Sequence, residues 1–151
     1  MYKLLYKLMS FIAICGGGGK TTICKKYPEL FLDIDDFIWS DINKKYHKEL
    51  IDSINNKCID KIGIIYKNIM TNNGDKIGSN KIILGHNPIN AKWLKINFLV
   101  SIKPSKEIHE KNIESRSDIL KNIARKCWNN LEEAVIYKNY KEFESILLRY
   151  T

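Results

Sequence analysis

Apolar residues fall into four near-continuous runs of strand length, at positions 8–15, 30–34, 81–84 and 97–102. Continuous rather than alternating apolarity is the pattern of strands covered on both faces, and this predicts a parallel sheet. The intervening stretches carry helical spacing. Residues 36–57 place Ile38, Ile42, Tyr46, Leu50 and Ile54 at steps of four, the apolar face of one long helix. A second helix is expected over 59–70, weakened by Gly63. Asn72-Asn73-Gly74 and Gly78-Ser79-Asn80 then form turns that lead into the third strand. Pro104 stops the fourth strand and Ser105 is the expected N-cap of a helix running to about residue 114. Ser117-Asp118 opens another, with Ile119, Leu120, Ile123, Ala124, Cys127, Trp128 and Leu131 as a wide apolar stripe. Tyr140, Phe143, Ile146, Leu147 and Tyr150 have the spacing of a carboxyl-terminal packing helix. The alternation of strand and helix predicts an α/β fold in three layers. Its central parallel sheet would have about four strands with right-handed crossovers. No repeat or linker divides residues 1–151, which are expected to form a single domain.

The first apolar run leads straight into Cys15-Gly16-Gly17-Gly18-Gly19-Lys20-Thr21-Thr22, which holds four of the eight glycines. Strand, glycine turn, lysine and hydroxyls in that order suit a nucleotide's phosphates. Glycines let backbone N–H groups close around the anion, Lys20 supplies a point charge, and the hydroxyl of Thr21 can reach Mg²⁺. The helix expected from Lys20 adds its N-terminal donors. In the spacing G-x-x-x-x-G-K-[ST] the first glycine falls on Ile14. Either the loop is two residues shorter, starting at Gly16, or the first glycine is replaced and the strand runs further.

The second strand ends in Asp33-Ile34-Asp35-Asp36. With a period of two, Asp33 and Asp35 share a side, while Asp36 points away or starts the next helix. Carboxylates at the carboxyl end of a parallel strand stand where open α/β sheets bind ligands. One can hold Mg²⁺ and the other can accept the proton of an attacking hydroxyl, and Asp33 is the candidate for both metal and catalysis. Asp35 or Asp36 is the expected cap of the following helix. Arg116 and Arg125 are candidate phosphate clamps, because only Arg149 joins them in a lysine-rich chain. His86 ends the third strand at the same edge of the sheet, where a capped turn is expected. His47 and His109 read as surface positions, and Trp39 follows the aspartates where an acceptor base or sugar would lie.

The net charge of +8 attracts polyanions, although the lysines are scattered without a basic run. Cys15, Cys24, Cys58 and Cys127 lack metal-ligand spacing, and Cys24 and Cys127 fall on apolar helix faces, so reduced buried thiols in the cytoplasm are expected. The amino-terminal stretch with Lys3 and Lys7 has the charge order of a signal peptide, but it lacks a cleavage site and runs into the glycine loop. No apolar run is long enough to span a membrane, so no membrane association is expected.

These pieces together resemble the P-loop kinases of nucleosides and nucleoside monophosphates, the group that includes guanylate, adenylate and shikimate kinases. Residues 11–22 resemble their first strand and phosphate loop, and Asp33-Ile34-Asp35 resembles the acidic D-x-D of the shikimate-kinase-like members. The segment 98–107 followed by Arg116 is similar to the late strand, proline and arginine-ended helix of guanylate-kinase-like members. The Trp128 helix and the 81–86 strand resemble small kinase-like proteins of phages and large DNA viruses. The resemblance implies a phosphotransferase using ATP and Mg²⁺, with Gly16, Gly17, Gly18, Gly19, Lys20, Thr21 and Thr22 around the phosphates. It implies a sheet order of 2-3-1-4, Lys20 on the β- and γ-phosphates, Thr21 on Mg²⁺, Asp33 or Asp35 on acceptor or metal, and Arg116 in a lid. No base-reading motif occurs between Asp36 and Met70, and the acceptor is expected to be a nucleotide, a nucleoside or a similar small molecule. The alternatives are a polynucleotide kinase and a nucleotide-binding module without catalysis.

Overall fold

The computed structural model describes residues 9–78 and 80–151. Leu8 of the first expected strand, Ser79 of the second turn and the amino-terminal segment with Lys3 and Lys7 lie outside the described residues. Five strands form one parallel sheet: β1 (Ser10–Ile14), β2 (Phe31–Asp33), β3 (Ile82–Gly85), β4 (Asn97–Pro104) and β5 (Val135–Tyr137), in the order β2-β3-β1-β4-β5. Among the described residues eight α-helices flank it: α1 (Lys20–Lys26), α2 (Ile34–Ile38), α3 (Lys44–Asn55), α4 (Ile59–Asn73), α5 (Ile89–Leu94), α6 (Lys106–Ile113), α7 (Asp118–Asn130) and α8 (Tyr140–Leu148). The expected α/β class and the order 2-3-1-4 are both observed, with β5 added beyond β4.

The central strand β1 shows why its apolar run is continuous. Phe11 and Ala13, with Cys15 beyond the strand end, face a core shared with α2, α4 and α5, while Ile12 and Ile14 face a second core with Ile23 and Phe143. Both faces are buried, so neither position of the two-residue period tolerates a polar side chain. β5 escaped the sequence reading because it has three residues, of which Val135 and Ile136 are exposed at the sheet edge. A strand that short and half-solvated carries no periodic signal.

Two expectations need correction. The predicted helix 36–57 is broken at Trp39-Ser40 into α2, a 3₁₀ turn (Asp41–Asn43) and α3. The break follows from side chains that take over the Phe37 carbonyl: Ser40 Oγ donates to it at 2.6 Å and the buried Asn43 Nδ2 at 2.7 Å. Such local bonds compete with the helical ladder. In α7 the predicted stripe is only partly covered. Ala124 and, just beyond the helix, Leu131 are buried, but Ile119 is 74% exposed and Leu120 and Ile123 are exposed as well. α4 runs through Gly63, where the missing Cβ admits Trp93, whose Nε1 would stand 2.6 Å from a Cβ there. Ser105 and Ser117 cap α6 and α7 as expected, accepting from the N–H groups of Ile108 and Leu120.

Candidate functional site

β1 ends at Ile14 and the chain turns at once, with the Gly18 N–H donating to the Cys15 carbonyl at 2.9 Å. Ile14, where the longer spacing has its first glycine, is the buried last residue of β1, and the glycine turn starts beyond it. Gly17 and Gly19 adopt φ of +82° and +95°, a left-handed backbone that disfavours any other residue. A Cβ on Gly17 would also lie 2.6 Å from Ile113, so α6 packs directly on the loop.

The loop's carbonyls are drawn outward by three side chains. His109 Nε2 donates to the Gly16 carbonyl at 2.8 Å, Asn112 Nδ2 to that of Gly17 at 2.9 Å, and the Tyr137 hydroxyl to that of Gly18 at 2.5 Å. These three carbonyls stand four residues before Lys20, Thr21 and Thr22, where a continuous helix would use them. With the carbonyls engaged elsewhere, the N–H groups of Gly19, Lys20, Thr21 and Thr22 have no acceptor among the described residues. The first helical bond of α1 runs from Ile23 to Gly19. Consecutive free N–H groups on a concave loop form an anion-binding nest. His109, expected on the surface, is only 2% exposed, and its ring lies 6.3 Å from that of Trp128. Its role was hidden in the sequence because its partner lies 93 residues away.

A cavity of about 510 Å³ opens over this nest. Its walls include Gly16 to Thr22, Asp33, Asn112, Arg116 and the aromatic residues Tyr137, Tyr140 and Phe143. Phe143 stacks on Tyr137 with centroids 4.7 Å apart and packs on Gly19, while Tyr140 meets it edge-on at 6.2 Å. The sequence reading missed this aromatic wall, since only β5 and α8 bring these residues to the loop. The Arg116 guanidinium lies 3.5 Å from where a Gly16 Cβ would stand.

The structure does not bring Arg125 to this cavity. Its guanidinium forms a bidentate pair with Glu110, at 2.9 and 2.8 Å, and lines a separate small cavity with Lys106 and His109. Cys24 and Cys127, expected to be buried, are half-buried; Cys15 is buried and Cys58 exposed. Burial, with the charge of Cys127, raises the Cys15 thiol to about 12; burial, with those of Asp33 and Asp36, raises the Cys24 thiol likewise to about 12.

Asp33 is the last residue of β2 and the N-cap of α2, its Oδ1 accepting from the Asp35 N–H at 3.0 Å. The expected cap was Asp35 or Asp36; both instead lie in the first turn of α2, where they favour the helix dipole. β2 ends too early for the period of two to reach Asp35. Asp33 is 7% exposed, and burial raises its carboxyl despite the opposing charge of Lys20. Burial also acts upward on Asp35, but His86, whose Nδ1 lies 3.4 Å from Oδ2, and then Lys20 outweigh it and hold that carboxyl below its usual range. The Lys20 charge thus acts on two carboxylates of differing proton affinity. Trp39 contacts His47, whose Nε2 donates to the Ile38 carbonyl at 3.0 Å, and it does not line the cavity. Among the described residues no three His, Cys, Asp or Glu side chains form a metal cluster, and no helix is long and apolar enough to cross a membrane. No model of a known protein family matches this chain, and neither does any curated protein.

Proposed function

We propose that this protein is an ATP-dependent phosphotransferase acting on a nucleotide, nucleoside or similar small acceptor. The observation that carries the reading is the nest. Four consecutive N–H groups with no acceptor among the described residues line one wall of a cavity with Lys20, and a buried carboxylate, Asp33, lines it too. The N–H groups and Lys20 would bind the β- and γ-phosphates, and Arg116 would add a planar fork as charge shifts during transfer. Thr21, whose exposed side chain lines the cavity, and Asp33 are the oxygen donors suited to Mg²⁺, which when bound would neutralise phosphate charge. The aromatic wall of Tyr140 and Phe143 offers a stacking surface for the base. The charge of +8 favours a second reading, a polynucleotide kinase, which salt-sensitive binding of DNA or RNA would reveal.

Mg·ATP should raise the melting temperature, and Lys20→Ala should abolish the rise. A ligand at 100 times its dissociation constant adds about 2.7 kcal/mol, or about 5–10 °C for a chain of this size. Absence of any shift with nucleoside triphosphates would overturn the reading.

A further inference from the structure

A second cavity, of about 140 Å³, lies between α6 and α7 and shares no lining residue with the cavity over the nest. Lys106, Arg125 and Asn129 are the exposed side chains of its wall, with Trp128 half-buried and His109 buried. The Glu110 carboxylate also lines it, but both of its oxygens accept from Arg125, at 2.9 and 2.8 Å, so that pair presents little net charge. The Lys106 ammonium and the Asn129 amide have no hydrogen-bond partner among the described residues. A cation and an amide without partners, beside a buried imidazole, suit a ligand with negatively charged oxygens.

His109 decides which anion fits. Its Nε2 lies 2.8 Å from the Gly16 carbonyl, which can only accept, so Nε2 carries the ring proton. In the neutral ring Nδ1 is then an acceptor, and it has no partner among the described residues. The Nε2–Cδ2 edge faces the loop, each atom 3.4 Å from where a Gly17 Cβ would stand. Nδ1 is the ring corner opposite that edge, so it turns from the loop toward the cavity that the ring lines. A buried acceptor without a donor is costly, and the ligand that relieves it must bring a proton to this point.

We infer that this cavity binds inorganic phosphate, whose P–OH donates to His109 Nδ1 while its charged oxygens accept from Lys106 and Asn129. At neutral pH free phosphate is an anion that still carries a proton. Sulfate, carboxylates and phosphomonoester dianions match its charge but have no proton to give, and each would set a lone pair against Nδ1. Four oxygens, each taking about the 30 Å³ of a water, fit a cavity of this size. The site stands independently of the phosphotransferase reading, because it uses none of the residues around the nest cavity.

The glycine loop competes for the same anion, so the test uses the full chain carrying Lys20→Ala, which removes the loop's charge. Sodium phosphate, sodium sulfate and glycerol 2-phosphate are titrated calorimetrically at neutral pH and constant ionic strength, with the imidazole ¹⁵N resonances followed in parallel. Phosphate should bind and move the Nδ1 resonance of His109, whereas sulfate and the monoester should bind about 10-fold more weakly or not at all. Adding Lys106→Met, at an exposed position, should weaken phosphate binding about 10-fold or more. Should Lys20→Ala fail to fold, wild type and Lys106→Met are compared instead, and the phosphate stoichiometry should differ by one. Sulfate bound as tightly as phosphate, an unmoved His109 resonance, or binding indifferent to Lys106→Met overturns the inference. So does loss of all phosphate binding in a folded Lys20→Ala chain, which would leave the anion at the loop alone.

Discussion

Tyr137→Phe isolates one hydrogen bond on which the nest depends. The ring is 3% exposed and stacks on Phe143, and the phenylalanine keeps that packing. Only the hydroxyl is lost, and with it the bond to the Gly18 carbonyl. A buried acceptor left without its donor costs about 1–3 kcal/mol. At about 2–4 °C per kcal/mol for a chain of this size, the melting temperature should fall by about 2–12 °C. The alternative open to the chain is more informative than the loss itself. The Gly18 carbonyl can be recaptured by the Thr22 N–H four residues on, which extends α1 backward and consumes one donor of the nest. Recapture limits the drop in the free protein but weakens Mg·ATP binding, so the ligand-induced shift shrinks even where stability recovers. Differential scanning fluorimetry with and without Mg·ATP reads both. A variant that melts with the wild type and shows the same ligand-induced shift would refute the idea that side chains hold the loop carbonyls away from the helix.

Two further outcomes follow from the titrating groups. Burial raises the Asp33 carboxyl, so its ionised form opposes folding at neutral pH and the opposition fades as pH falls through its folded pKa toward the unfolded value. Asp33→Asn should therefore melt at or above the wild-type temperature at neutral pH, with the difference closing in acid; a variant that is less stable at neutral pH would show that the cap outweighs the buried charge. Cys15 and Cys24, with thiols raised to about 12, should resist maleimide at neutral pH while the exposed Cys58 reacts, and mass spectrometry showing early labelling of Cys24 would contradict that assignment.

The strands and the loop were legible in the sequence because each rests on local chemistry. A strand buried on both faces must be apolar throughout, and a left-handed turn beside a lysine calls for glycine; neither needs knowledge of distant residues. By itself the sequence therefore determined the α/β class, the first four strands, the glycine turn of Gly16 to Gly19 ahead of the helix at Lys20, and the caps at Ser105 and Ser117. Features set by partners far along the chain were decided only by the tertiary structure. His109, Asn112 and Tyr137 lie 93 to 119 residues from the carbonyls they engage, so nothing near them in sequence marks their role. Arg125 and Arg116 look alike in a lysine-rich chain, yet Glu110 takes one while the other lines the cavity. Asp33 became the cap rather than Asp35 or Asp36 because β2 stops after three residues, a length set by its pairing with β3. Periodicity records which residues prefer to be covered, but coverage depends on what packs there, and so α7 leaves Ile119, Leu120 and Ile123 exposed on a stripe that reads as core.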